Sequence, residues 1–174
     1  TLGLPTEGCA ARLRQHHPVY HFEDELQGHI AVPAALAEED FIVRRRDGLY
    51  AYNLAVVVDD MDSGITEIVR GADLLEPTVR QIALYQTLGA DVPAWVHLPL
   101  AVLADGNKLS KQNHAPALAQ DDVRPALWQA LAFLGQCPPP CLRENTVDEI
   151  IAWGIAHWQL ARVPRQQKIV LGAR

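Results

Sequence analysis

A chain of 174 residues, 49% of them apolar and 21% charged, is sized for one ordinary domain or a domain with a small appendage, and this composition excludes a disordered chain. The formal charge of −6 gives no global reason to bind nucleic acid, although a local basic face could still do so. No apolar run approaches the roughly 20 residues that span a bilayer, no signal peptide is recognisable, and an odd complement of three cysteines fits a reducing, cytoplasmic compartment. The first residue is Thr1, in a loop-like Thr1-Leu2-Gly3-Leu4-Pro5, so the chain is expected to be a piece of a longer protein.

Residues 11–14, 19–22 and 28–32 have the composition of short strands. Phe41-Ile42-Val43 is a further strand ending in Arg44-Arg45-Arg46, a basic cluster that reads either as a solvated strand end or as an RNA contact. Asp47-Gly48 is a tight-turn signal. Residues 52–60 are ambiguous: Val56-Val57-Val58 favours a buried strand, yet Tyr52, Ala55, Val56 and Asp59 also fall along one helical face. Thr66 to Val69 reads as a short buried strand. A helix opens at Glu76-Pro77, keeps helical spacing through Val79, Ile82, Ala83 and Gln86, and closes at Gly89.

Residues 95–102 predict another strand, interrupted near Pro99. Residues 123–134 predict a helix that stops at Gly135. Thr146 and Glu149 form a capping box for a last helix carrying Ile150, Ile151, Ile155 and Trp158. The order, strands with helical crossovers and then helices alone, predicts an α/β domain followed by a small helical appendage.

Two segments carry chemistry. Asp105-Gly106-Asn107 makes a turn, which places Lys108-Leu109-Ser110-Lys111 on an exposed loop. Two ammonium groups around a hydroxyl suit a triphosphate, and a lysine that meets the leaving pyrophosphate only in the transition state lowers the barrier selectively. The plainer alternative is an ordinary basic surface loop. Arg70, ending the run Thr66-Glu67-Ile68-Val69, has the donor fork that suits a substrate carboxylate; its alternative is a structural ion pair with Asp59, Asp60 or Asp73. Cys137 and Cys141 around Pro138-Pro139-Pro140 supply only half of a zinc tetrahedron, and this segment reads as a stiff surface loop with no metal.

Between residues 11 and 134 the chain resembles the catalytic domain of class I aminoacyl-tRNA synthetases. Lys108-Leu109-Ser110-Lys111-Gln112 is similar to the KMSKS-type loop of glutamate-specific members. The runs from Asp47 to Ala55, Val57 to Asp60 and Gly64 to Leu75 resemble their second half-domain in order and spacing. The resemblance is strongest to a shortened branch of that family, whose members glutamylate the queuosine of tRNA(Asp). The loop continues as Asn113-His114-Ala115-Pro116, and only about sixty residues follow it, too few for the helical anticodon-binding region of a full-length glutamyl-tRNA synthetase.

This resemblance implies a class I Rossmann-type catalytic domain, with its second half in residues 1–118 and a helical, stem-contact-like region in residues 119–174. It also implies that residues 52–60 are a helix. It assigns glutamate binding to Tyr52 and Arg70, ATP binding to Lys111, and the catalytic loop to Lys108, Ser110 and Lys111. For Tyr52 the alternative is a core aromatic with a wet tip. His97 either lines the nucleotide pocket or is a satisfied core histidine, the simpler reading. His16, His17 and His21 take no role, and Asp59-Asp60 is read as helix-terminal packing rather than a metal pair.

The implied partners are L-glutamate, ATP with Mg2+ and the anticodon loop of tRNA(Asp), acting on a monomer with no membrane. Any zinc would belong to an upstream segment, not to this chain. Three alternatives stay open: a piece of a true glutamyl-tRNA synthetase, a non-catalytic RNA-binding paralogue, and an unrelated nucleotidyltransferase. The half of the site with the HIGH-type histidine motif does not occur in these 174 residues, so the chain by itself is expected to form no glutamyl-adenylate. Glutamate-dependent ATP–pyrophosphate exchange is the measurement; exchange catalysed by the 174-residue chain alone would overturn that expectation.

Overall fold

The computed structural model describes residues 8–104, 106, 108–109 and 122–171. The chain forms two compact units, Thr1–Arg70 with Leu74–His97, and Gly71–Asp73 with Leu98–Arg174.

The first unit starts with strands β1 (Ala11–Leu13), β2 (His21–Asp24) and β3 (Gly28–Ala31), then a single helical turn, α1 (Ala34–Ala37), and β4 (Phe41–Arg44). β2 and β3 form an antiparallel hairpin, and β1 pairs antiparallel with β4 across a register irregularity at Ala11/Arg12. The Asp47-Gly48 turn is present. Gly48 has φ 87°, Arg45 N–H donates to the Leu49 carbonyl at 2.7 Å, and Arg44 bridges to Tyr50. Only glycine adopts that left-handed backbone without strain.

Residues 52–62 are a helix, α2 (Tyr52–Asp62), in spite of three consecutive valines. Packing decides this against local propensity: Val57 is buried, and Leu54, Val56 and Met61 pack against the same apolar cluster. Next come β5 (Glu67–Gly71), α3 (Thr78–Leu88) and β6 (Ala94–Leu98), with β5 and β6 hydrogen-bonded neighbours. The expected buried strand at Thr66–Val69 is corrected: Glu67 and Val69 are exposed, because a strand with one covered face shows alternate residues to solvent. β2 likewise starts two residues later than its composition suggests.

α3 is the spine of this unit. Pro77 caps it and Gly89 (φ 72°) ends it in the left-handed conformation, and seven of its residues are buried. Val79, Ile82, Leu84 and Tyr85 meet Phe22, Phe41, Val57 and Trp95 in the core.

The second unit begins with a 3-10 turn, Ala72–Leu74, whose first two residues belong to it, followed by β7 (Leu100–Val102), which Pro99 separates from β6. Helices α4 (Arg124–Phe133) and α5 (Val147–His157) pack on each other, and a 3-10 turn at Pro140–Glu144 lies between them in the chain. The triple-proline segment is therefore more than a surface loop: Leu142 is buried, and Trp128 Nε1 donates to the Pro139 carbonyl at 3.0 Å. The Thr146–Glu149 capping box is formed in both directions. Trp158 is the C-cap of α5 rather than part of its apolar face, which exposes Ile151 and Ile155.

The chain does not end in helices alone. A last strand, β8 (Lys168–Val170), pairs in parallel with β7, with Ala101 opposite Ile169. Three residues are too few for a periodic signal, so only the pairing reveals it.

The two kinds of apolar position should separate on mutation. Ile82→Ala, in the core, is expected to cost about 2–5 kcal/mol. Ile155→Ala, at a side chain 77% exposed, should stay within about 0.5 kcal/mol. Urea unfolding of both variants measures the difference.

Candidate functional site

The first unit holds a polar cluster in its interior. Asp24, Thr78, Gln81 and His97 are each at most 3% exposed. At the back stands Asp24, at the turn of the β2–β3 hairpin. Its Oδ1 accepts from the backbone N–H groups of Leu26 (3.1 Å), Gln27 (2.7 Å) and His97 (3.3 Å), and its Oδ2 meets His97 Nδ1 at 2.6 Å. Burial works against the charge of Asp24, but the His97 side chain and the backbone donors outweigh it and hold its carboxyl below the ordinary 3.8.

His97 passes this order forward. Its Nε2 lies 3.0 Å from Arg70 Nε, and a guanidinium can only donate, so Nε2 is the acceptor and Nδ1 carries the proton toward Asp24. Arg70 is fixed on its other edges too: Nη1 donates to Gln81 Oε1 at 2.7 Å, and Nη2 donates to Thr78 Oγ1 at 2.7 Å and to the Leu74 carbonyl at 3.4 Å. Its guanidinium lies 4.8 Å from the centre of the Trp95 ring, which stacks on His97. None of these four acceptors carries a formal negative charge, so they orient the fork without themselves cancelling its charge. Asp60 feels it from α2: burial raises the Asp60 carboxyl, opposed by the charge of Arg70.

The cluster also reaches α2. Gln81 Nε2 donates to Asn53 Oδ1 at 3.1 Å, which ties α3 to the first turn of α2, where Tyr52 stands. Tyr52 is 58% exposed, so the core-aromatic alternative is corrected: at the start of α2 its side chain projects outward, its phenol accessible. His97 is the satisfied core histidine, bonded at both ring nitrogens. Asp24, Thr78, Gln81 and Asn53 were not singled out in the sequence. The available signal was polar residues at core-facing helical positions, Thr78 and Gln81 beside Val79 and Ile82, because a buried polar side chain requires partners.

In the second unit, Lys108 bridges to Val102, and Leu109 N–H donates to the Ala101 carbonyl at 2.9 Å. The loop therefore leaves β7 and folds back along it. Lys108 Nζ pairs with Asp73 Oδ2 at 2.5 Å. Ser110 and Lys111 lie outside the described residues. Arg44, Arg45 and Arg46 are exposed, and Arg45 pairs with Asp47 at 2.7 Å. Cys137 and Cys141 are free and exposed, and the described residues contain no group of three metal-ligating side chains. None of the described helices is long and apolar enough to cross a membrane.

Residues 6–151 match the sequence model of tRNA synthetases class I (E and Q), catalytic domain. The chain belongs to this family. As a class I synthetase sequence it is 60% identical over 170 residues to the Glutamyl-Q tRNA(Asp) synthetase of Serratia proteamaculans (strain 568), covering 98% of this chain and 56% of that protein. It is 58% identical to the protein of the same name from Pectobacterium atrosepticum, covering 97% and 52%. The class I synthetase chain thus spans about half the length of these curated relatives. The crystal structure of the glutamate-tRNA synthetase from Elizabethkingia anophelis superposes with a TM-score of 0.67 at 23% identity, over 93% of this chain and 36% of that one. That likeness shows the fold. The resemblance read from the loop and the Arg70 run is borne out, and so is the class I catalytic-domain fold.

Asp24 makes the arginine cluster sensitive to acid. Its folded pKa is depressed, so its ionised form contributes stability above 3.8, and the contribution is lost as pH falls through the lower folded value. Asp24→Asn is expected to destabilise the chain by about 1–3 kcal/mol at neutral pH, with the gap to the parent narrowing toward acid. Urea midpoints across that range check it, and a gap independent of pH would refute the assignment.

Proposed function

We propose that the protein carrying this chain activates glutamate with ATP and transfers it to the queuosine of tRNA(Asp). The observation that carries the reading is identity of 55–60% over nearly the whole chain to proteins named Glutamyl-Q tRNA(Asp) synthetase. In this reading the oriented fork of Arg70 receives a carboxylate of glutamate in a charge-assisted contact. The exposed phenol of Tyr52 supplies a further hydrogen bond.

A glutamate carboxylate oxygen attacks the α-phosphorus of ATP in line, and the bond to the pyrophosphate oxygen breaks. The products are glutamyl-adenylate and pyrophosphate. Little covalent work falls to the protein, so positioning and charge neutralisation supply most of the acceleration. Lys108, Ser110 and Lys111 take the phosphate side, Lys111 on ATP itself, with Mg2+ accompanying the nucleotide. A hydroxyl of the queuosine cyclopentenediol then attacks the acyl carbon, and AMP leaves. A base in a single-stranded loop can be splayed into such a site at modest cost.

Residues 1–118 act here as the second half of the catalytic domain, and residues 119–174 approach the RNA together with Arg44–Arg46. In this reading the protein works in the cytoplasm as a monomer.

The test uses the whole protein with labelled glutamate and an anticodon stem-loop containing queuosine but no acceptor end. Glutamylation of that stem-loop is expected, with Tyr52→Phe lowering kcat/KM for glutamate roughly fivefold, the worth of one lost hydrogen bond. Labelling only of a full tRNA(Glu) at its 3′ end would instead identify a true glutamyl-tRNA synthetase. RNA binding without labelling of either substrate would identify the non-catalytic paralogue.

A further inference from the structure

Asp73 stands in the 3-10 turn Ala72–Leu74, and its Oδ2 holds Lys108 Nζ at 2.5 Å, with both side chains partly exposed (40% and 47%). The carboxylate is seated against the main chain of Gly71. A Cβ on Gly71 would lie 2.6 Å from Asp73 Oδ1 and 3.1 Å from Leu100 Cδ2, so a side chain there would displace one or the other. Lys108 is anchored from its own side by the bridge to Val102, at the start of the loop. β8 braces the opposite edge of β7: Leu100 N–H donates to the Gln167 carbonyl at 2.9 Å, and Leu171 N–H to the Val102 carbonyl at 2.8 Å.

Beside the pair opens a cavity of about 280 Å3, lined by Ala72, Asp73, Gly106, Lys108, Gln167 and Lys168 among others. Its charged lining is two ammonium groups and one carboxylate, and the carboxylate is paired with the loop lysine.

We propose that Asp73 is a positioning residue that competes with polyphosphate for Lys108. The inference rests on the proposed function, in which Lys108 belongs to the phosphate-binding loop. A lysine presented bare would bind ATP and the transition state alike, lowering KM without raising kcat. With Asp73 as its resting partner, Lys108 meets the nucleotide only against a competing carboxylate. The exchange becomes favourable as charge accumulates on the departing pyrophosphate. Interaction strength is thereby moved out of the ground state and into the transition state.

The test is a double-mutant cycle in the whole protein, reading the Kd of inorganic tripolyphosphate by calorimetry. This probe has no ribose or base, so it reports the phosphate contact alone. Asp73→Asn keeps the shape beside Gly71 and is expected to tighten tripolyphosphate binding about two- to fivefold, the scale of a half-exposed ion pair. Lys108→Ala should weaken binding in the parent and abolish the gain from Asp73→Asn.

If Lys108→Ala weakens binding but Asp73→Asn does not tighten it, the competition is refuted while the phosphate role of the loop stands. An equal gain from Asp73→Asn in the Lys108→Ala background also refutes it, because the effect is then the general field. If Lys108→Ala changes nothing, the phosphate role of Lys108 and the competition fall together.

Discussion

Burying the Asp24 carboxylate in the first unit would cost several kcal/mol if its oxygens lacked donors. Three backbone N–H groups and His97 Nδ1 supply them, and the other features of this unit's polar centre depend on that arrangement. Nδ1 is committed to Asp24, and Nε2 accepts from Arg70, whose guanidinium can only donate. The arginine is thereby held by its Nε while Thr78 and Gln81 align its two terminal nitrogens. A cation oriented on all sides has little side-chain entropy left to lose on meeting a ligand, which is the advantage of a fixed fork over a mobile lysine.

The hydrogen bonds run through five elements that the apolar core already holds together, with Asp24 on β2 and Arg70 on β5. β6 carries His97, α3 carries Thr78 and Gln81, and α2 carries Asn53. Trp95 serves both systems: on the same strand as His97, it packs in the core and also underlies the Arg70 guanidinium. Core packing and polar order are therefore coupled, so a change in the apolar cluster also shifts the frame that aims the arginine.

The second unit works on a different principle. Its lysine is partly exposed and paired in contact with solvent, where an ion pair contributes little stability and exchanges partners readily. Around that labile contact the backbone is firm, with β7 gripped by β8 on one side and by the returning loop on the other. A firm base under an exchangeable charge is suited to a loop that must change partners during a reaction. The chain belongs to a family of class I synthetases, and the two arrangements match the two halves of the proposed chemistry: a substrate held steadily, and a leaving group met late.

Much was legible in the residues. The Asp47-Gly48 turn, the helix between Pro77 and Gly89 and the Thr146–Glu149 cap are all short-range patterns, with their physical cause in a few adjacent residues. The family resemblance named Tyr52 and Arg70 together as candidate glutamate-binding residues. The period of residues 52–60 was ambiguous and the family resemblance implied a helix there; the packed structure gives the reason, because one buried face outweighs the β-branched propensity of the valines. Tertiary structure alone decided that Tyr52 is exposed, that β8 returns to β7, and that Asp24, some seventy residues from His97 in the chain, sets the tautomer on which Arg70 rests. Hydrogen bonds between distant segments leave no periodicity in a sequence; they exist only once the core has brought those segments together.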